Sequence, residues 1–189
     1  MDPQNRILVV AATARELATP SGWRTLLCGV GPVEAAAATA AEIARERPSL
    51  IVHVGIAGAR LHRALLPCSL VIGSESRYCD LRVPVEWAPN TIVAPATLVS
   101  AAQRALPAAS LLPIGTSANV GGTSGCDVEA MEGFGVLRAA QMAGVPAIEI
   151  RAISNEIEEA DRARWSFEAA FAAITNATPA LVAQLLKGI

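Results

Sequence analysis

The stretch EAMEGFGVLRAAQMAGVPAIEIRAISN, residues 129–155, decides the fold, because polar residues crowd both ends of what otherwise reads as a buried helix and strand. From Met131 to about Ala143 the side chains Met131, Phe134, Val136, Leu137, Ala140 and Met142 wrap most of a helix. Gly144 can cap that helix and Pro146 forbids its continuation. Ala147 to Ile153 then reads as a strand in which Glu149 and Arg151 share one face and Ile148, Ile150 and Ala152 the other. A face with two charges cannot be wholly apolar, so one of them must find a partner. Glu132, in the first turn of the preceding helix where the dipole favours a carboxylate, becomes that partner if the helix packs back over its strand. Arg151 through Asn155 occupy the carboxyl end of the strand, where ligands sit in α/β sheets. On spacing alone the plainer reading is the stronger one: a dipole-stabilising Glu132, a solvated Arg151 and a turn at Ser154-Asn155.

Around this stretch the composition narrows the function classes. A chain of 189 residues is read as one domain, residues 1–189, able to bury roughly 70% of its extended surface. The net charge is −2 and the basic residues are scattered, so the electrostatic footprint of a nucleic-acid or anionic-lipid partner is missing. A small-molecule partner is expected instead. Hydrophobic residues make up 52%, largely alanine, yet no apolar run approaches the ~20 residues of a membrane span. The start, with Asp2 and then ILVV, lacks the cationic opening of a signal peptide. Cys28, Cys68, Cys79 and Cys126 are widely spaced with no C-x-x-C pair, so reduced thiols are expected rather than disulfides or metal ligands. Neither a metal nor a cofactor is expected, and a cytoplasmic location fits.

In chain order, Arg6 to Ala12 reads as a buried strand, and Glu16 just past it opens a short helix. Trp23 to Val30 is a second strand. GVGPVEAAAATAAEIARERP (29–48) is a turn and an alanine-rich helix, with Pro32 near its start and Pro48 ending it. Gly29 and Gly31 form a lone G-x-G, too little for a dinucleotide fingerprint. Leu50 to Val54 is a third strand running into GIAGAR (55–60), where the glycines either admit a ligand close to the backbone or make a tight turn. His53 reads as a core histidine and His62 as a loop residue. CSLVIGSES (68–76) is another strand, 81–95 an irregular Pro-rich segment, Thr97 to Leu106 a helix, and Leu111 to Ser117 a strand. Trp87 is a pocket wall, an interface residue or neither. ANVGGTSG (118–125) is a glycine-rich loop. Ser166 to Leu186 is a helix that covers the sheet through Phe167, Phe171, Ile174, Leu181 and Leu185, with a kink near Pro179.

The segment VEAMEGFGVLRAAQMAGVPAIEIRAISN (128–155) resembles the Met-Glu helix and Arg-Ala-Ile-Ser-(Asp/Asn) strand end of the purine nucleoside phosphorylase and methylthioadenosine nucleosidase superfamily. Within it the similarity is greatest to the futalosine hydrolase family: Val128-Glu129-x-Met131-Glu132-Gly133, Asn155 where methylthioadenosine nucleosidases carry Asp, and Asp161-Arg162 with Trp165. The likeness is strong over 128–165 and weak over 75–125. It implies a three-layer α/β phosphorylase/hydrolase-like fold, with a central mixed sheet flanked by helices. Tyr78, Cys79 and Asp80 resemble the family's Tyr-x-Asp segment. The loop at 118–125 departs from relatives, which carry a longer segment before the Met-Glu helix.

The resemblance also implies roles. Glu16 becomes the general base that activates water, Glu132 the carboxylate on the ribose hydroxyls, and Asn155 the reader of the base. Met131 contacts the sugar, and Arg151 holds Glu132 ionised. Ala57 and Gly58 lie beside the ribose, Asn119 and Val120 beside the purine, and Ser154 beside Asn155. Two carboxylates fit cleavage of an N-glycosidic bond, because its transition state carries cationic charge on the sugar. A carboxamide both donates and accepts, which suits hypoxanthine better than an ionised Asp does. The implied reaction is release of hypoxanthine from futalosine, on a menaquinone route, by a homo-oligomer. No residue type or spacing in the sequence marks a partner for the aromatic carboxylate tail of that nucleoside. A nucleoside phosphorylase using Arg15, Arg60 and Ser74 for phosphate, a methylthioadenosine/S-adenosylhomocysteine nucleosidase-like enzyme, and a non-catalytic nucleoside binder are the alternatives.

Overall fold

All five residues of β1 (Ile7–Ala11) are buried, which a strand achieves only with cover on both faces. The computed structural model describes residues 7–121 and 125–188; Arg6 and residues 122–124 of the glycine-rich loop lie outside that range. The remaining strands are β2 (Arg24–Leu27), β3 (Leu50–Ala59), β4 (Leu70–Tyr78), β5 (Thr91–Val93), β6 (Ser110–Thr116), β7 (Val128–Ala130) and β8 (Ala147–Glu156). The helices are α1 (Pro32–Arg45), α2 (Ala96–Ala105), α3 (Gly133–Met142) and α4 (Phe167–Leu186).

The eight strands form one mixed sheet, with β1 parallel to β2 and β3, β3 parallel to β8, and β4 antiparallel to β8 but parallel to β6. β7 pairs in parallel with β6 and antiparallel with the end of β3, so β3, β8, β4, β6 and β7 close into a ring. Alternation along the strands sorts the two faces. Ile7, Val9, Leu50, Val52 and Ile148 pack with Ala101, Ala102, Ile174, Leu181 and Leu185 of α2 and α4. Leu8, Val10 and Ile51 pack with Ala35, Ile43, Val136, Leu137 and Ala140 of α1 and α3. The result is three layers, with a third cluster around Ala57, Val71, Ile114, Val128 and Ile153. Each fully buried aliphatic side chain of this kind contributes about 1.5–3 kcal/mol.

Several expected boundaries move. Glu129 and Ala130 belong to a strand instead of the approach to a helix, so α3 begins at Gly133 and Glu132 is its N-cap residue. GIAGAR is not a loop: β3 continues to Ala59 because β8 and β7 supply partners there, with a bulge between Ala57 and Gly58. β8 likewise runs through Ser154 and Asn155 to Glu156. Thr91–Val93 inside the Pro-rich segment adds an edge strand on β4. α4, by contrast, stands where it is expected, with Pro179 inside it. On length and composition α4 is apolar enough to cross a membrane, yet it lays Ile174, Thr178, Leu181, Val182 and Leu185 against the sheet and α2.

Candidate active site

β3 outruns its neighbour. β1 pairs with it only as far as His53, and β7 takes up the same strand at Gly58, so the sheet parts between them. A cavity of about 310 Å³ opens at this parting, lined by residues just past β1, by Ile56–Gly58, by Glu129–Glu132 and by Ser154 and Asn155.

Glu16 reaches this gap from the short 3-10 turn Ala14–Glu16 that follows β1. Its Oε2 accepts from the amide and the hydroxyl of Thr13, both at 2.9 Å. Its Oε1 accepts from the amide of Ile56 at 3.1 Å, so a β3 donor at the parting is satisfied by the carboxylate. Glu16 is 4% exposed, and three donors hold it with lone pairs left over.

Behind the cavity, charged side chains are packed away from the surface. Arg151 is fully buried and donates from Nε to Glu149 at 2.8 Å and from Nη2 to Glu132 at 3.4 Å. Glu132 also accepts from the amide of Gly31 at 3.2 Å, where a φ of +97° turns the chain into α1. Burial pushes the Glu132 carboxyl up, against the pull of the Arg151 guanidinium. Gly55 and Gly133 leave the room for this cluster. A Cβ at 55 would lie 2.2 Å from Nη1 of Arg151, and one at 133 would lie 2.1 Å from Oε2 of Glu149. That Oε2 is buried without a hydrogen-bond partner.

His53 completes the cluster as an uncharged member. Its Nδ1 lies 3.0 Å from the carbonyl of Val10, which can only accept, so Nδ1 carries the proton and the bare Nε2 accepts from Nη2 of Arg151 at 2.5 Å. Burial, and then the nearby guanidinium, hold its pKa well below the usual imidazole range. The unfolded chain therefore takes up a proton at about pH 6.5, before the folded one does. The stability His53 contributes is complete above that pH and is lost as the pH falls, by ~1.4 kcal/mol per unit until the folded pKa is reached. Urea denaturation of the wild type and of His53→Gln between pH 7.5 and 5.5 measures this. The wild type should lose stability the more steeply, and equal slopes would mean that the histidine ionises alike in both states.

At the other wall, the Asn155 amide is oriented by its neighbours. Ser154 Oγ donates to Asn155 Oδ1 at 2.7 Å, and Asn155 Nδ2 donates to the carbonyl of Glu156 at 2.9 Å. The second N–H of Nδ2 is left to donate to a ligand acceptor. Asp80 anchors the glycine-rich loop, accepting from Ser117 Oγ at 3.0 Å and from the Ala118 amide at 2.6 Å.

Of the residues singled out from sequence, Glu16, Met131, Glu132, Ser154, Asn155, Ala57, Gly58, Asn119 and Val120 line this one cavity. Arg151 does not; it lies behind Glu132. Trp87 is exposed and away from the cavity. Phe167 and Phe171, read as core, instead line the cavity together with Arg162 and Trp165. Helical spacing shows that a face is apolar, not what it faces. The sequence gives no signal for the parts that Glu149 and Asp80 play in holding Arg151 and the glycine-rich loop.

No family model matches the chain. A curated futalosine hydrolase from Streptomyces coelicolor is 38% identical over 184 residues, covering 84% of this chain and 77% of that protein. The chain belongs to the futalosine hydrolase family. As a futalosine hydrolase family member it is an N-glycosyl hydrolase. Solved structures share the fold. The 5'-methylthioadenosine/S-adenosylhomocysteine nucleosidase of Colwellia psychrerythraea, in complex with adenine, gives a TM-score of 0.83 at 20% identity over 95% of both chains. The futalosine hydrolase of Helicobacter pylori also gives 0.83, at 14% identity over 94% of this chain and 97% of that one. The three-layer architecture expected from the resemblance is thus the fold of this futalosine hydrolase family member.

Proposed function

We propose that this protein hydrolyses the N-glycosidic bond of futalosine, releasing hypoxanthine and dehypoxanthine futalosine in menaquinone biosynthesis. The observation that carries the reading is that two buried carboxylates, Glu16 and Glu132, line one cavity with the Asn155 amide, in a chain of this family. In this reading Glu16 takes a proton from the attacking water as its oxygen bonds to C1′. The C1′–N9 electron pair leaves with the base, whose N7 or O6 accepts from Asn155 Nδ2. The base anion then takes a proton from solvent and Glu16 returns its own to solvent, which balances the release of neutral hypoxanthine. Glu132, held by Arg151 and Gly31, hydrogen-bonds the ribose hydroxyls and offsets the positive charge that develops on the sugar. Met131 lies against the sugar, Ala57 and Gly58 bring backbone beside it, and Asn119 and Val120 border the base.

Phosphorolysis is less well supported. Arg15 is paired with Glu168 and Arg60 with Glu158, and neither they nor Ser74 line the cavity. Incubation with futalosine in phosphate-free buffer, followed by chromatography, tests the reading. Hypoxanthine should appear at a rate that added phosphate leaves unchanged. A requirement for phosphate would assign a phosphorylase, and no release at all would remove futalosine as the substrate. A cytoplasmic homo-oligomer belongs to the same proposal, and light scattering measures its mass.

A further inference from the structure

The aromatic residues of the cavity lining are neighbours of one another. Three of the seven aromatic residues of the chain, Trp165, Phe167 and Phe171, line the cavity. Their rings form a continuous wall, with centroids 5.4 Å apart between Trp165 and Phe167 and 6.2 Å apart between Phe167 and Phe171. Trp165 Nε1 donates to the carbonyl of Glu159 at 2.9 Å, so its polar atom is already used. The segment is pinned back onto the site by the Ser166 amide, which donates to the carbonyl of Ser154 at 2.8 Å.

Charge around the cavity is distributed unevenly. The titratable residues lining the cavity are Glu16, Glu129, Glu132 and Arg162, so three carboxylates face one cation. Arg162 sits in the 3-10 turn Arg162–Arg164, its guanidinium 5.8 Å from the Trp165 ring centre. Nearby arginines are matched: Arg164 with Glu159 at 2.7 Å, and Arg15 with Glu168. The adjacent Asp161 accepts from the Ala163 amide at 3.0 Å, capping the turn. Among the described residues Arg162 has no carboxylate partner. An anionic ligand group would be repelled by the lining carboxylates and accepted beside Arg162, and an aryl ring next to it would lie along the aromatic wall.

We propose that Arg162 and the Trp165–Phe167–Phe171 wall form the subsite for the aryl carboxylate end of the nucleoside tail, with Arg162 setting specificity for the carboxylate. The proposal rests on the futalosine reading, and its test separates the two. Futalosine and inosine share base and ribose, and only futalosine has the tail. Kinetics are measured in phosphate-free buffer for the wild type, Arg162→Gln and Arg162→Lys. Calorimetric binding of both nucleosides is measured in a Glu16→Gln background with and without Arg162→Gln. Arg162 is exposed, so loss of its charge should raise KM and Kd for futalosine about fivefold to tenfold. Inosine should be unaffected within about twofold, Arg162→Lys should recover part of the loss, and added salt should shrink the difference.

Equal effects on both nucleosides, or none on either, would overturn the subsite. So would acceleration by inorganic phosphate that Arg162→Gln abolishes, since Arg162 would then be a phosphate ligand. Preferential, Arg162-dependent binding of futalosine without wild-type turnover would keep the subsite and overturn the hydrolase reading.

Discussion

Glu16→Gln is expected to lower the rate of hypoxanthine release by about 10²–10⁴-fold, the range for loss of a general base, while nucleoside affinity changes only a few-fold. The substitution keeps the shape of the side chain and removes its basicity. Thr13 offers two donors to one oxygen and Ile56 a third to the other, so the amide of the variant must turn its NH₂ toward a donor. A stability loss of about 1–3 kcal/mol from that mismatch is expected. Single-turnover assays and calorimetry on the folded variant separate the two effects. A variant that releases hypoxanthine within a few-fold of the wild-type rate would take Glu16 out of the water-activating role.

The second large effect runs against helix propensity. Gly133 is the first residue of α3, and Gly→Ala inside a helix is usually worth about 1 kcal/mol of added stability. Here a Cβ would lie 2.1 and 2.2 Å from the two oxygens of Glu149. The carboxylate has no room to retreat, because its partner Arg151 is fully buried and tied to Glu132 and His53. Separating a buried pair costs about 3–5 kcal/mol, which outweighs the propensity gain. Gly133→Ala should therefore melt roughly 4–16 °C lower than the wild type, at 2–4 °C per kcal/mol for a chain of this size. Adding Glu149→Ala should recover part of the loss, because the two changes share one space. A Gly133→Ala protein as stable as the wild type would mean that Glu149 moves aside freely.

Local pattern made the regular elements readable. α1 and α2 stand within a few residues of where proline, alanine content and apolar spacing put them. The errors fall where pairing is remote. Val128–Ala130 is three residues long and is a strand only because β6 and β3 lie on either side of it. GIAGAR has the composition of a turn and is held extended by β8. The same applies to the site. Glu16 and Asn155 looked like a helix start and a turn when read alone, and became site candidates only through the resemblance. α4 packs its apolar side against the cavity in its first turns and against the sheet after them. Its periodicity is the same in both parts, so the aromatic wall was invisible in the spacing.

The arginine cluster also constrains how this sequence can drift. Gly55, Gly133, Glu149 and Arg151 fill one another's space and balance one another's charge. A lone replacement at any of them leaves either an overlap or an orphaned ion, so viable descendants must change two positions together. Such coupled inheritance is expected to keep the four residues moving as a block even when the surrounding strands diverge freely.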